Sequence, residues 1–210
     1  MITHSTCPVC HSDRIRSHFP VTDQSISGET FSVWHCETCS LMFTHDVPGE
    51  NEIGRYYASE AYVSHTNSKK GLINRLYHVV RNITLKSKRS WVCAETGLSK
   101  GKLLDLGCGT GAFLAFMKKS GWDVTGLEPD PGARAQAVTL HGIEPGSPEA
   151  LDTLPDGSYH AITMWHVLEH VHTLHHYMER IKMLLAPSGK IFIAVPNHTS
   201  FDASYYRQHW

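Results

Sequence analysis

An acidic residue and three alternating glycines stand together in the run LLDLGCGTGAF, at positions 103–113. The apolar start of the run predicts a buried strand that ends at Leu106, so Gly107, Gly109 and Gly111 fall in the turn that follows. Glycine lacks a side chain, so it allows positive φ angles and lets the backbone approach a ligand closely. The pattern therefore indicates a ligand-binding turn, and the neighbouring residues decide which ligand suits it.

Two phosphate-binding motifs resemble this turn. A P-loop requires Lys followed by Ser or Thr after its last glycine, and no such pair follows Gly111, which excludes this motif. A dinucleotide fingerprint, G-x-G-x-x-A, is matched by Gly107, Gly109 and Ala112, and Glu128 would then hold the ribose. A nicotinamide dinucleotide therefore stays open as an alternative, as does a purely structural turn.

Asp105 favours a different ligand, because its carboxylate would repel a pyrophosphate near the turn and attract an ammonium group. S-adenosylmethionine (SAM) carries an ammonium group and no phosphate. The stretch LLDLGCGTG resembles the first motif of class I SAM-dependent methyltransferases, which is a hydrophobic strand, an acidic residue and G-x-G-x-G. The resemblance implies that Asp105 and the glycines face the methionine part of SAM and that Glu128 binds the ribose hydroxyls. The predicted cofactor contacts are Asp105, Gly107, Cys108, Gly109, Gly111, Glu128, Pro129 and Trp165.

Later stretches extend this resemblance over residues 101–198. DTLPDGSYHAITMWHVLEHV resembles the family's fourth strand and the loop after it, which implies that residues 147–149 lie near the adenine. LLAPSGKIFIAVPN resembles the closing helix, turn and fifth strand. The family fold has two further strands, but only HTSFDASYYRQHW follows Asn197, so the sequence predicts a methyltransferase core that is incomplete at its C-terminus.

Two C-x-x-C pairs, Cys7 with Cys10 and Cys36 with Cys39, predict a metal site near the N-terminus. Four thiolates fill the tetrahedral coordination of one zinc ion and leave no open position, which is typical of a structural site. A redox dithiol is the alternative. Six cysteines in a chain without a visible signal peptide favour a cytoplasmic protein with free thiols rather than disulfides.

A zinc ribbon before such a core resembles bacterial methyltransferases of nucleotide-sugar and surface-polysaccharide pathways. The resemblance implies methyl transfer to a hydroxyl or an activated carbon of a small, sugar-like acceptor, such as a nucleotide sugar or a glycan. An NAD-dependent sugar-modifying enzyme and a non-catalytic zinc-ribbon binding module are the alternatives. No nucleic-acid partner is expected, because Arg14 and Arg16 are the only Lys or Arg between the cysteine pairs and several acids accompany them.

The stretch WHVLEHVH follows the predicted fourth strand and contains the candidate catalytic residues His166, Glu169 and His170. Their spacing of i, i+3 and i+4 would place them on one face of a helix. Loops after parallel strands lie where open α/β sheets bind ligands. Three roles stay open for these residues: a structural role, acid–base catalysis with His166 as the general base, and metal binding.

From Lys102 onwards, strand patterns alternate with helix patterns, which predicts an open, parallel, Rossmann-like α/β sheet. The predicted strands are KLLDL, DVTGLE, AITMW and KIFIAV, and the predicted helices are AFLAFMKKSG, PGARAQAVTLHG and HTLHHYMERIKMLLAPSG. The predicted domains are a zinc ribbon at 1–45, a connector with a basic amphipathic helix at 46–100 and the truncated methyltransferase core at 101–210.

The connector helix, residues 67–92, carries an apolar stripe beside many basic residues. We expect the stripe to pack on the core and the basic face to be solvated, with peripheral membrane contact as the alternative. The stripe consists of Leu72, Leu76, Val79, Val80 and Ile83. Hydrophobic residues make up 41% of the chain, charged residues 19%, and the net charge is −1, so the composition is that of a globular protein and gives no overall attraction to anionic surfaces.

Overall fold

The computed structural model describes residues 1–24, 26–56 and 72–209. The chain divides into two compact units. The described residues of the first unit are 1–24, 26–56 and 196–209, and those of the second unit are 72–195.

The first unit is built from short antiparallel strands. Strands β2 (Ile15–Thr22), β3 (Thr30–Cys36) and β4 (Met42–Thr44) form a three-stranded sheet, and β1 (Ile2–Thr3) pairs with β5 (Asp46–Val47). Ile15 lies opposite Cys36, so the end of β3 meets the start of β2. The helical segments of this unit are α1 (Glu50–Ile53), the 3-10 helix Gly54–Tyr56, α6 (Phe201–Tyr206) and the 3-10 helix Arg207–His209.

The second unit contains a parallel sheet with the strand order β7-β6-β8-β9. The strands are β6 (Lys102–Leu106), β7 (Asp123–Leu127), β8 (Tyr159–Trp165) and β9 (Leu185–Ala194). The helices are α2 (Leu72–Thr96), α3 (Ala112–Lys119), α4 (Pro131–His141), α5 (Leu174–Leu184) and the 3-10 helices Pro148–Thr153 and Leu168–His170. The prediction of a parallel α/β sheet is thereby confirmed.

Strand β6 lies between β7 and β8 in this sheet, and its side chains from Leu103 to Leu106 are buried on both faces. Leu103 packs in a cluster with Val92, Phe113 and other residues, whereas Leu104 and Leu106 pack in a second cluster on the opposite face. Alternate residues of a strand point to opposite faces, so a central strand covered on both sides must be apolar throughout. Asp105 is therefore an exception, because it is an ionisable residue in a buried strand, and its presence there requires a chemical explanation.

Helix α5 ends earlier than predicted. The sequence pattern extended this helix to Gly189, but the structure ends it at Leu184 and begins β9 at Leu185. Pro187 disfavours a helical conformation at the residue before it, which explains the early end. A side chain at Gly189 would lie 2.8 Å from the carbonyl oxygen of Tyr159, so β9 can pass close to the start of β8 only with glycine at this position.

Helix α2 packs with a different face from the predicted one. Val79, Val80 and Ile83 are exposed, whereas Leu85 and Val92 pack against the core. The expected contact of the apolar stripe is therefore wrong for these three residues; the side chains of Leu72 and Leu76 lie outside the described residues. Within the ranges that the structure describes, no helix is both long and apolar enough to span a lipid bilayer.

Candidate functional site

The glycine turn joins β6 to α3 and requires glycine at Gly107. This residue has a φ of 65°, and a side chain there would approach Val167 Cγ2 to 2.5 Å. Gly109 has a φ of 55°, and apart from this residue and its two chain neighbours none of the described residues has an atom within 4 Å of the position that its side chain would take. The turn therefore packs against the protein at Gly107 and leaves its backbone accessible at Gly109, as a close backbone approach to a ligand requires.

Hydrogen bonds hold the turn against the end of β7. The N–H groups of Gly107 and Cys108 both donate to the carbonyl oxygen of Leu127, over 2.8 and 3.1 Å. The N–H of Gly109 donates to Glu128 Oε2 over 2.7 Å, and the N–H of Asp130 donates to Glu128 Oε1 over 3.0 Å. Glu128 is only 6% exposed, so its carboxylate joins two loops at the carboxyl edge of the sheet.

Asp105 lies one residue before the end of β6 and is 2% exposed. Thr163 on β8 donates its hydroxyl proton to Asp105 Oδ1 over 2.5 Å. Burial raises the pKa of Asp105 to about 7, and the nearby Glu128 carboxylate raises it further, whereas the Thr163 hydroxyl and the charge of Lys88 lower it. This carboxyl group is therefore poised to ionise when a cation arrives beside it.

Lys88 on α2 also lies at this site, although it belongs to none of the predicted binding motifs. Its ammonium group lies 4.2 Å from the ring centre of Trp165 and 5.8 Å from that of Phe113. Burial lowers the pKa of Lys88, and the Asp105 carboxylate counteracts this effect. A sequence signal exists, since Lys88 stands between Leu85 and Val92 on the face of the helix that packs.

Trp165 at the end of β8 has a buried indole N–H with no hydrogen-bond partner within the described part of the chain. Its ring meets that of Phe113 edge to face, with the ring centres 6.0 Å apart. A buried polar group without a partner is costly, so this N–H indicates a polar ligand atom. The site thus combines an acidic group, a cation and a free donor, which are Asp105, Lys88 and Trp165.

The remaining predicted cofactor residues are all near the glycine turn or the end of β7. Cys108 is buried, and burial together with the carboxylates of Asp105 and Glu128 raises the pKa of its thiol, so the thiol stays protonated. Gly111, with a φ of 75°, precedes the first residue of α3. Arg134 donates to the carbonyl oxygens of both Glu128 and Pro129, over 2.6 and 2.9 Å, and thereby fixes the loop after β7.

The three candidate catalytic residues follow β8, but they do not form the predicted helical face. Only Leu168–His170 is helical, as a single 3-10 turn, and His166 precedes it with a φ of 59°. His166 Nδ1 lies 3.4 Å from Glu169 Oε1, and 67% of the His166 side chain is exposed. The fold thus brings His166 and Glu169 together at a surface loop, whereas His170 lies in the 3-10 turn rather than one α-helical turn after His166.

The four cysteines of the first unit converge. Their sulfur atoms all lie within 4.8 Å of one another, and the pairs Cys7–Cys39 and Cys10–Cys36 are each 3.6 Å apart. Four thiolates around one zinc ion at 2.3 Å are separated by about 3.8 Å, so the cluster has nearly the size that zinc requires. Within the described ranges, this is the only group of three or more His, Cys, Asp or Glu residues with this closeness.

Backbone N–H groups favour the thiolate of Cys36, whereas at Cys39 the N–H of Leu41 is outweighed by burial and the neighbouring thiols, which raise the pKa of Cys39 to about 12. Burial opposes the ionisation of Cys36, but the N–H groups of Cys39 and Thr38 and the neighbouring thiols outweigh it and lower the pKa of Cys36 to about 6. Cys7 and Cys36 are fully buried, whereas Cys39 is exposed. All four cysteines are free thiols, and the donor set fits a four-thiolate metal site.

The fold and the glycine turn of this chain are shared with a known protein family. A family model described as a methyltransferase domain matches residues 82–210, more than half of the chain, and the chain therefore belongs to this family. The resemblance to class I SAM-dependent methyltransferases is thus confirmed at the level of the domain.

Several proteins are similar to this chain. A ubiquinone biosynthesis O-methyltransferase of Xanthomonas oryzae pv. oryzae is 32% identical over 117 residues, which are 52% of this chain and 48% of the relative. A protein of the same name from Pectobacterium atrosepticum is 34% identical over 113 residues, which are 50% of this chain and 46% of the relative. The chain thus spans about half the length of the curated relatives it matches. The structure of a SAM-dependent methyltransferase from Archaeoglobus fulgidus has the same fold, with a TM-score of 0.51, 23% identity and coverage of 60% of this chain and 57% of that one.

Proposed function

We propose that this chain binds SAM and forms the cofactor-binding part of an enzyme that methylates a small acceptor. The main evidence for this proposal is that Asp105, Lys88 and Trp165 lie together beside the glycine turn. A carboxyl group opposite a cation suits the two charged ends of a free amino acid, whereas it does not suit a pyrophosphate. SAM contains such an amino-acid end, and NAD does not.

Each residue then has a role toward SAM, which supplies a methyl group on a positively charged sulfur. Asp105 accepts hydrogen bonds from the ammonium group, and Lys88 and the indole N–H of Trp165 bind the carboxylate. Glu128 accepts hydrogen bonds from the ribose hydroxyls with the lone pairs that Gly109 and Asp130 leave free. The protein accelerates transfer mainly by holding the two reactants in line, which contributes several kcal/mol. His166, supported by Glu169, accepts the proton of the acceptor hydroxyl.

Two further observations indicate the class of methyl acceptor. The names of the O-methyltransferase relatives support a hydroxyl as the methylated group. The four-cysteine cluster supports a sugar-like acceptor, because a zinc ribbon before such a core resembles sugar methyltransferases. Mass spectrometry with isotope-labelled SAM, a panel of nucleotide sugars and a panel of phenols would identify the acceptor. If the phenols acquired the label and the sugars did not, the sugar assignment would be contradicted. If no compound in either panel acquired the label, the non-catalytic binding module would be favoured.

We expect SAM to bind and NAD not to bind. The reason is Asp105, whose buried carboxyl attracts an ammonium group and repels phosphate oxygens. Isothermal titration calorimetry with SAM, S-adenosylhomocysteine and NAD on the purified protein measures this directly. Tight NAD binding without SAM binding would replace the methyltransferase proposal by the nicotinamide alternative.

Replacement of Glu128 by alanine should weaken SAM binding by about 10- to 150-fold, because hydrogen bonds to a carboxylate contribute about 1.5–3 kcal/mol. The variant also loses the bond to the Gly109 N–H, so we expect faster amide exchange at Gly109. Glu144→Ala is the matched control, since Glu144 is an exposed acid after α4. If the folded Glu128→Ala protein bound SAM with unchanged affinity, Glu128 would not be at the ribose.

The four cysteines, we propose further, hold one structural zinc ion in a ribbon formed by residues 1–45. The sulfur distances and the N–H groups around Cys36 support this assignment. Cysteines that hold zinc rather than form disulfides also support a cytoplasmic location, because thiols persist in a reducing compartment.

A further inference from the structure

Arg180 on α5 is a buried cation outside the site described above. The buried polar or charged side chains in the described part of the chain are Asp105, Glu128, Thr163 and Arg180. The first three meet at the glycine turn and the ends of β6, β7 and β8. Arg180 is 9% exposed, and it contacts a different segment, the 3-10 helix Pro148–Thr153 and the residues that follow it.

The guanidinium group of Arg180 binds the C-terminal end of that 3-10 helix. Its Nε donates to the carbonyl oxygen of Leu151 over 3.1 Å, and its Nη2 donates to the carbonyl oxygens of Leu154 and, over 3.4 Å, Asp152. Its Nη1 donates to the carboxylate of Asp156. The last carbonyl groups of a helix have no partner within the helix, so a cation placed there satisfies them and complements the helix dipole.

The other end of the same segment is joined to the strand that leads to Glu128. The N–H of Gly146 donates to the carbonyl oxygen of Gly126 over 2.9 Å, and the N–H of Glu128 donates to the carbonyl oxygen of Gly146 over 3.0 Å. The segment from 146 to 156 is therefore fixed at both ends, by β7 at one end and by Arg180 at the other. Residues 147–149 lie between these two attachments.

Stability alone does not require an arginine at this position. Burying a charge is costly, and a well-packed apolar side chain of similar volume often gives equal or greater stability. Arginine supplies instead a planar set of donors that fixes several carbonyl groups in one geometry. The contacts of Arg180 thus specify where the segment lies beside β7.

We propose that Arg180 is a positioning residue for the adenosine half of the cofactor. It holds residues 147–149 next to the end of β7, so that the adenine meets a preformed wall while Glu128 binds the ribose. This inference rests on the proposed SAM-binding function and adds a residue to it. Arg180 touches the 148–156 segment and acts on the cofactor only through that segment.

The test uses two ligands that share the adenosine half. S-adenosylhomocysteine contains the amino-acid end, and 5′-methylthioadenosine lacks it. Arg180→Met keeps the volume and removes the donors, so we expect both ligands to bind about tenfold more weakly and by the same factor, since ordering the backbone of even one residue on binding has an effect of about this size. Lys88→Met should weaken only S-adenosylhomocysteine, because Lys88 faces the amino-acid end. Calorimetry measures all of these affinities.

Ile181→Val is the matched control for a general loss of stability. Ile181 is the neighbouring residue on α5, is 1% exposed and packs in the same cluster as Leu151. We expect this variant to melt at a lower temperature and to bind both ligands with unchanged affinity. Equal weakening of both ligands by Ile181→Val would overturn the proposal, because the effect of Arg180 would then reflect stability alone.

The remaining outcomes separate this inference from the proposed function. If the unaltered protein bound neither ligand, the SAM-binding function itself would fail, and the inference with it. If the unaltered protein bound both and Arg180→Met bound them equally well, only the inference would be overturned. If Arg180→Met does not fold, Arg180→Lys provides the test, because lysine keeps the charge and loses the planar donors. Equal weakening of the binding of both ligands by Arg180→Lys would support the inference, and unchanged affinities would overturn it.

Discussion

Replacement of Cys36 by serine, or removal of the proposed zinc ion by a chelator, should unfold residues 1–45 and leave the second unit folded. The buried side chains among the described residues 1–24 and 26–49 are those of Cys7, Cys36 and Pro48, so this part has almost no apolar core of its own. A structural zinc ion contributes an apparent free energy of about 10–16 kcal/mol in zinc-finger peptides, which exceeds what such short strands supply. Hydrogen exchange should show loss of protection in β2 and β3 and unchanged protection in β6 and β8.

Metal analysis should find about one zinc ion per chain, because four thiolates saturate one tetrahedral ion. Cys93→Ser is the matched control, since Cys93 is a free, half-buried thiol that packs against the core of the second unit. This variant should keep the metal and the protection of β3. A metal-free protein that forms a reversible Cys7–Cys39 disulfide would support the redox alternative instead. If chelation abolished SAM binding together with protection in β6, the ribbon would be part of the cofactor site.

SAM affinity should fall about tenfold for each pH unit below 7 and should level off above 7. Burial raises the pKa of Asp105 to about 7, so below this pH the carboxyl group holds a proton that it must release before it pairs with the SAM ammonium group. The charged or polar groups that act on Asp105 are Lys88, Thr163 and Glu128. The stability of the unliganded fold changes with pH in the opposite direction. The raised pKa of Asp105 contributes stability that is fully present below pH 3.8 and is lost as the pH rises through about 7.

Two variants test this assignment by calorimetry between pH 5.5 and 8.5. Asp105→Asn should remove the pH dependence and weaken binding at pH 8 by about 30-fold or more, since loss of one partner of a buried charge pair costs about 2–5 kcal/mol. Thr163→Val removes the hydroxyl that lowers the pKa of Asp105, so it should move the midpoint above pH 7. A pH dependence that persists in Asp105→Asn would mean that another group titrates on binding.

The sequence by itself determined the local features of this protein. The glycines after Leu106 require a turn, the apolar runs such as KLLDL require buried strands, and the alternation of strands and helices requires parallel pairing. These features depend on backbone preferences and on periodicity, which a few neighbouring residues define. The two C-x-x-C pairs belong here as well, because a spacing of three positions suffices to bring two thiols close enough to share one ligand.

Only the tertiary structure decided which side chains meet. The apolar stripe of α2 predicted a packed face with Val79, Val80 and Ile83, yet the helix is turned so that Lys88 lies over Trp165. The orientation of a helix depends on the sum of its contacts with distant residues, and its own periodicity does not define that sum when apolar residues occur on two faces.

The buried polar pairs also arise from tertiary contacts. Thr163 donates to Asp105 because β8 pairs with β6 in a register that puts them opposite each other, and Arg180 reaches Leu151 from a helix 29 positions further along the chain. A polar residue in an apolar run indicates from sequence alone only that a partner must exist, because an unpaired buried group is costly. The identity of that partner depends on strand register and helix packing, which bring distant parts of the chain within hydrogen-bond distance.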